Sequence, residues 1–259
     1  MQSFVNREDT VDLQLAGKGA VVTGGNAGIG RAIGRMLAAE GARVLLTGRN
    51  EETLGTARAE IEETGGEAHV MVADLYNDGV AAAIAREAEA RLGRADILVN
   101  NAGGSRPFGK DATEGQWDEA LTLNFTRPRQ IAHALLPPMQ AAGWGRLIHI
   151  TGKSEPEGVN GAFCAKAGIH SWSKGLSREV GGDGITSNCI APGRIMSDQI
   201  RRNYSPEYRA EQSRTEIPVG RYGEPEELAA LAVFLCSPLA SYVTGTMIAV
   251  DGGLRRYQF

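Results

Sequence analysis

The chain is poor in the residues that staple or metallate a fold. Its 259 residues include only three cysteines, Cys164, Cys189 and Cys236. They lie far apart with no Cys-x-x-Cys spacing, which excludes a disulfide framework and a cysteine-built zinc site. All three have apolar neighbours in sequence, so buried thiols are expected. Histidine is almost as sparse. His69, His133, His149 and His170 show no His-x-x-x-His spacing, and no metal is expected. No apolar run approaches the ~20 residues needed to span a bilayer. Basic excess is missing too. The net charge of −4 argues against a nucleic-acid surface. The stretch Met1–Gln14 carries Arg7, Glu8, Asp9 and Asp12 and has no apolar core of the secretory kind, so a cytoplasmic protein is expected. Repeats and low-complexity linkers are absent as well.

What the chain does have is glycine, 34 residues of it, and a regular alternation. Ala20–Val22 is a short apolar run of the kind a strand buried on both faces shows. Gly24, Gly28 and Gly30 follow, and then Ile33, Met36 and Leu37 recur at helical spacing. Strand, glycine turn and helix start together form a natural anion site. The first helical N–H groups are unpaired and carry partial positive charge, and glycines let a pyrophosphate approach the backbone. A glycine turn that binds nothing would look similar in isolation, but this one follows a strand and opens a helix.

Further strands are expected at Val44–Leu46, Ala68–Ala73, Ile97–Val99, Leu147–Ile150, Ile185–Ile190 and Thr246–Val250. Helical stepping lies between them. Val80, Ile84 and Ala88 step by four, and Ala165, Ile169, Trp172, Leu176 and Val180 step by three and four. Asn50 is placed to cap a helix, and Pro225 with Glu226 and Glu227 to start one. Such alternation gives an α/β fold, a parallel sheet covered on both faces, with ligands at the carboxyl ends of the strands. Pro192–Pro218 breaks the alternation and is expected as a long irregular segment of the lid type.

The motifs resemble those of the short-chain dehydrogenase/reductases, over roughly Leu15 to Arg256. Thr23-Gly24-Gly25-Asn26-Ala27-Gly28-Ile29-Gly30 resembles the family's T-G-x-x-x-G-x-G. Asp74 with Leu75 resembles the acidic residue and its neighbour beside the adenine. Asn100-Asn101-Ala102-Gly103 is similar to N-N-A-G after the fourth strand, and Asn124 to the family's helix asparagine. Pro192-Gly193, with Ile195 and Ser197 beyond it, resembles the turn beside the nicotinamide, and Val250–Gly253 the closing V-D-G-G.

The resemblance implies a doubly wound, Rossmann-type sheet of seven parallel strands in the order 3-2-1-4-5-6-7. It implies a single dinucleotide-binding catalytic domain over 15–259 behind a polar extension at 1–14. It implies a cofactor site built from Gly24, Asn26, Ala27, Gly28, Ile29, Gly30, Asp74, Leu75, Asn101, Ala102, Gly103, Lys166, Pro192, Gly193, Ile195 and Ser197. It also implies a homo-tetramer packed through the helices around Phe125–Ala141 and Gly161–Val180. Ile169, Trp172 and Leu176 are expected to find only part of their cover inside the chain.

Bland readings stand beside several of these. Asp74 is also a natural helix cap, Asn101–Gly103 a natural turn, and Asn124 a natural partner for buried backbone groups. At the tip of the second strand, Gly48 stands where NAD enzymes of the family carry an acid. Arg49 follows, with a planar fork suited to a 2′-phosphate. NADP(H) is therefore expected. Glu51 or Glu52 could reach the ribose, which leaves NAD(H) as the alternative, and Arg49 could instead pair with Glu52.

One departure is sharp. The family's proton donor is a tyrosine four residues before a lysine, with a serine upstream. Lys166 matches the lysine, but Ala162 stands at the tyrosine's place, and no tyrosine occurs between Tyr76 and Tyr204. Thr151-Gly152-Lys153-Ser154 occupies the place of the serine. Lys153, then Ser154, are the expected substitute donors beside Lys166 and Asn124. The expected activity is NADP(H)-dependent interconversion of a carbonyl and a secondary alcohol. A lyase or dehydratase on the same fold and a non-catalytic NADPH-binding protein are the alternatives. Arg106, Lys153, Arg194, Arg201 and Arg202 sit on loops expected to rim the site, and two converging would favour an acidic substrate.

Overall fold

The computed structural model describes residues 11–152 and 158–256. Seven parallel strands form one sheet in the order β3-β2-β1-β4-β5-β6-β7, as expected. They are β1 Gly19–Thr23, β2 Arg43–Gly48, β3 Glu67–Val72, β4 Ile97–Asn100, β5 Gly145–Ile150, β6 Ile185–Pro192 and β7 Met247–Val250. Each lies where an apolar run predicts it. The ends differ by at most two residues, and where β6 runs longer its register continues past the apolar core, as in Pro192↔Val250.

The runs are continuous because both faces are covered. Alternate residues of each strand enter opposite cores. Ala20, Val22, Val44, Leu46, Ile97 and Val99 pack with Ile33, Leu37, Leu54, Leu228 and Val233 on one face. Val21, Leu45 and Leu98 pack with Ile84, Leu92, Ile131, Leu135 and Leu176 on the other. The first face carries α1 Gly28–Ala39, α2 Glu51–Glu63 and α9 Pro225–Cys236. The second carries α3 Val80–Leu92, α5 Arg127–Ala141 and α6 Gly161–Val180. Asn50 caps α2 by accepting from the Thr53 N–H at 2.9 Å. Pro225 opens α9 behind a Glu224–Glu227 capping box.

Three expectations need correction. Pro192–Pro218 is not irregular. It folds into α7 Asp198–Asn203 and α8 Pro206–Glu216, capped by the Ser197 and Ser205 hydroxyls. These helices are almost wholly polar, so no apolar stripe announced them. Cys164 is exposed, whereas Cys189 and Cys236 are buried. An apolar neighbourhood in sequence is not burial on a helix, where adjacent residues face different ways. Ile169 and Leu176 are covered inside the chain, at 2% and 7% exposure, so they leave nothing for a partner to cover. Trp172 is partly exposed, with its ring against His133 and His149.

His149 on β5 is fully enclosed, with Asn100 Nδ2 donating to its Nδ1 at 3.2 Å and the Ser187 hydroxyl 3.4 Å from Nε2. Burial, then the nearby His170, holds its pKa down from 6.5 to about 3. The unfolded chain protonates this imidazole near 6.5 while the folded chain refuses until about 3, so stability falls as pH drops through that window. Acidification from pH 7 to 4.5 should remove about 2–3 kcal/mol through His149. Urea unfolding of wild type and His149→Asn at both pH values checks this. An undiminished acid loss in the variant would contradict it.

Candidate active site

The site grows from the carboxyl end of β1. Thr23 closes the strand, Gly24–Ala27 turn, and α1 starts at Gly28. Gly24 sits at φ +64°, a left-handed conformation that favours glycine, and a Cβ on Gly30 would lie 2.3 Å from the Gly24 carbonyl oxygen. Ala27, at the head of α1, is extended and offers no side-chain cap, and the first turn of the helix carries no acid. The opening N–H groups and the positive end of the helix dipole therefore point at the turn without a built-in anion.

The loop after β4 braces this turn. The Thr23 hydroxyl oxygen accepts from the N–H groups of Asn101 and Ala102, both at 3.0 Å. Asn101 Nδ2 donates back to the carbonyls of Thr23 and Gly24 at 3.0 and 3.1 Å. The Asn101 side chain is thus a strut of the turn, in line with the bland reading of that segment. At the tip of β2, Gly48 is buried against Asn26. A Cβ there would come within 2.7 Å of Asn26 Oδ1, so a larger residue at 48 would have to turn the Asn26 side chain aside. Asn26 itself donates to the Thr53 hydroxyl at 3.1 Å.

Arg49 is exposed beside that tip. Among the described residues no ion pair joins it to Glu52, and its charge acts on Tyr76 instead. Asp74 caps no helix. Its carboxylate accepts from the Tyr76 N–H at 3.0 Å and fixes the turn after β3. Tyr76 then donates to Glu119 at 3.1 Å, and Glu119 accepts from Arg106 Nε at 3.0 Å. Burial first, and the Glu119 hydrogen bond second, raise the Tyr76 pKa.

The second half of the site lies at the ends of β4, β5 and β6. Asn124 sits in a π-helical turn, Thr122–Thr126, between α4 Glu114–Leu121 and α5. Its amide is fully engaged. Nδ2 donates to the carbonyls of Ala120 and Gly104, and Oδ1 accepts from the Gly104 N–H. It pins the loop that carries Gly103. Lys166 projects from α6 and donates from Nζ to the Thr151 carbonyl at 2.9 Å. Its stem runs between two glycines, since a Cβ on Gly103 or on Gly152 would stand 3.8 Å from Nζ. Burial lowers its pKa from 10.5 to about 8.

His170, one turn further along α6, places Nε2 2.8 Å from the Thr151 hydroxyl, which in turn donates to the Ile190 carbonyl at 3.2 Å. Burial, then Arg255 and Lys166, lower the His170 pKa. Ala162 is buried one turn before Lys166. Beside it, at the head of α6, Asn160 Oδ1 accepts from the Ala162 N–H at 2.9 Å, and Asn160 Nδ2 donates to the Ser105 hydroxyl at 3.0 Å.

The connection out of β6 runs back toward β1. Gly193 donates to the Val250 carbonyl, and Ile195 is buried in a parallel bridge with Gly223. The Ser197 Cβ would lie 3.9 Å from a Cβ on Gly28, so this connection returns to the head of α1. Asp251 is structural, accepting from the N–H groups of Gly253 and Arg255.

Four of the five cations of the expected basic rim are described. Arg106 is tied to Glu119, Arg194 lies 3.8 Å from Glu216, and Arg201 and Arg202 are exposed on α7. Lys153 and Ser154 lie outside the described residues. His170 and Arg255 were not anticipated. For His170 the signal was present, because it falls four residues after Lys166 and so on the same helix face. Among the described residues no cluster of three or more His, Cys, Asp or Glu is arranged to hold a metal, and no helix is long and apolar enough to cross a membrane.

Residues 24–255 match the family model described as enoyl-(acyl carrier protein) reductase. The 3-oxoacyl-(acyl-carrier-protein) reductase of Chlamydia muridarum is 36% identical over 245 residues, covering 93% of this chain and 98% of that protein. L-sorbose reductase from Gluconobacter frateurii, solved with NADPH and L-sorbose, superposes with a TM-score of 0.90 at 31% identity, covering 95% of this chain and all of that one. A 7α-hydroxysteroid dehydrogenase, solved with NADH and 7-oxo glycochenodeoxycholic acid, superposes with a TM-score of 0.89 at 33% identity, covering 93% and 96%. With this sheet order, this braced glycine turn and these relatives, the chain belongs to the short-chain dehydrogenase/reductase family.

Proposed function

We propose that the protein is an NADP(H)-dependent oxidoreductase that interconverts a carbonyl and a secondary alcohol, with a proton donor other than tyrosine. The observation that carries this reading is that both ends of a dinucleotide groove are built. At one end are the uncapped head of α1 and the braced Gly24–Gly30 turn. At the other are Lys166, Gly103 and the returning Pro192–Ser197 connection. A chain that only held an adenosine would have no need of the second set.

These residues fit a nicotinamide dinucleotide. The N–H groups of the turn and of the head of α1 would meet its pyrophosphate. Asp74 and Leu75 flank the adenine end, while Ala102, Gly103, Gly193, Ile195 and Ser197 flank the nicotinamide end. Lys166 has donors left for the ribose hydroxyls after its bond to Thr151, since an ammonium has three. When bound, the nicotinamide would supply or accept the hydride. The chain's task is to hold the reacting oxygen and move its proton. Asn124 and Thr151 position Lys166 and its loop, and Lys166, Lys153 and Ser154 are the candidate donors.

The NADP(H) preference rests on Gly48, which offers no acid at the strand tip, and on Arg49, which is exposed there without Glu52 as partner among the described residues. A second reading, a lyase or a binding protein without chemistry, is favoured by Ala162 and Gly152, which carry no hydroxyl. The homo-tetramer is a proposal from the family resemblance, and the cytoplasmic setting one from the polar N-terminal stretch. A monomer by light scattering at micromolar concentration would remove the first of these.

Fluorescence titration is expected to show tighter binding of NADPH than of NADH, and the reverse order would overturn the NADP(H) assignment. Arg49→Ala should weaken NADPH by about 1.5–3 kcal/mol, the scale of a charged hydrogen bond, and leave NADH nearly unchanged. Gly30→Val should abolish binding of both cofactors, because the added carbons collide with Gly24 and Asn101. Absorbance at 340 nm over a panel of keto and hydroxy compounds, acidic ones included, decides the reaction class. Product formed without net cofactor turnover would point to the lyase reading.

A further inference from the structure

We infer that Lys166 is itself the acid–base residue of this site, giving a proton from Nζ directly to the oxygen of the carbonyl being reduced. The inference rests on the oxidoreductase reading and deepens it.

Among the described residues Nζ is hydrogen-bonded to a carbonyl and to no hydroxyl. Ala162, Lys166 and His170 form one stripe of α6, four residues apart, and the residue of that stripe nearest the helix head carries only a methyl group. Gly103 and Gly152 stand beside Nζ, and neither of these two positions places a side chain against it. The described hydroxyls nearby are committed elsewhere. Thr151 Oγ1 is buried between the Ile190 carbonyl and His170, pointing away from Nζ's own anchor on the Thr151 carbonyl. Ser105 is tied to Asn160. Tyr76 donates to Glu119 and Tyr222 to Gln212. Ser105 and Asn160 are neutral groups that can orient a carbonyl, but both are very weak acids.

Lys166 is also held as a catalytic acid must be. One N–H is fixed on the Thr151 carbonyl, and Thr151 is clamped from its other side by His170 and Ile190. The remaining two N–H bonds are directed by that anchor. Enclosure makes the ammonium acidic, about 8 rather than 10.5, with His170 and Arg255 as the other basic groups in this corner. At neutral pH the group is therefore charged, yet close enough to neutrality to release a proton.

The step balances simply. A hydride with its electron pair is delivered to the carbonyl carbon from the reduced nicotinamide. The π pair of the C=O bond moves to oxygen, and that oxygen takes a proton from Nζ. The N–H bonding pair stays on nitrogen, so ammonium becomes amine. Water then restores the proton. In the oxidative direction the neutral amine takes the alcohol proton. Reduction accordingly falls, and oxidation rises, as pH passes through the Lys166 pKa.

Two measurements test this on the full chain. The first needs neither cofactor nor substrate. NMR of protein labelled at lysine Cε should show one resonance with a midpoint near 8 that is missing from Lys166→Arg. A Lys166 midpoint in the ordinary lysine range would overturn the inference. The second is single-turnover reduction. Lys166→Arg keeps the charge and the donors but holds its proton too tightly to give it up. It should bind NADPH within about threefold of wild type and reduce the substrate at least ~100-fold more slowly. Undiminished reduction by Lys166→Arg overturns the inference. The pH limb near 8 should persist in Lys153→Ala, whatever that variant's rate, and its disappearance there would transfer the role to Lys153. If Lys166→Arg does not fold, the wild-type titration and the Lys153→Ala profile still decide. Loss of NADPH-linked turnover altogether in wild type would sink the oxidoreductase reading, whereas an ordinary Lys166 titration in an enzyme that turns over sinks only this one.

Discussion

One hydroxyl holds the two halves of the sheet together at the point where the site must form. β1 and β4 are neighbours in the sheet but diverge at their carboxyl ends, because the chain winds away from them in opposite directions. Thr23 spans that divergence. Its oxygen takes two N–H groups from the β4 loop and its own proton goes to the Val99 carbonyl. Asn101 answers with two bonds into the glycine turn. The glycines follow from this lacing. With Asn101 Nδ2 and the Gly24 carbonyl so close, any Cβ at position 30 would break it. The turn is rigid before any ligand arrives, so little ordering would remain to be done on binding.

The same economy holds at the other end of the groove, where Thr151 has the corresponding place. Its carbonyl takes the lysine and its hydroxyl takes the histidine, so one residue at the end of β5 aligns two side chains of α6. Asn124 does likewise from the π turn, with every polar atom of its amide engaged by backbone. A π turn inserts one extra residue into a helix and rotates the residues beyond it, which is how an asparagine meets both the Gly104 loop and the helix behind it. The result is a site whose polar groups are mostly struts. Lys166, with unassigned donors aimed into the groove, is the exception.

Most of the fold was legible because burial on both faces writes a simple pattern. Val21 and Val22 enter different cores, yet both must be apolar, so β1 reads as a run rather than an alternation. Asn50 and Pro225 were legible because caps are local. The lid segment was not, since α7 and α8 bury little and their caps, Ser197 and Ser205, resemble any loop serine. Cys164 misled because its neighbours in sequence are apolar while its own direction on α6 is outward. Long-range pairing escaped as well. Arg106 looks like a free rim cation until the fold brings Glu119 to it, and nothing local in the sequence announces that contact.

The departures at the active site belong together physically. Removing a tyrosine and a serine from beside a lysine removes the neighbours that would share its proton, and the lysine's own burial then governs its acidity. Gly103 and Gly152 place no side chain against the ammonium, while Ala162 keeps the helix packed without refilling the position with a polar group. Burial alone lowers the Lys166 pKa, and burial first, then Arg255 and Lys166, lowers that of His170 in the same corner. The enclosure that makes Lys166 a usable acid also leaves its ammonium as the charged donor that a reacting oxygen would meet.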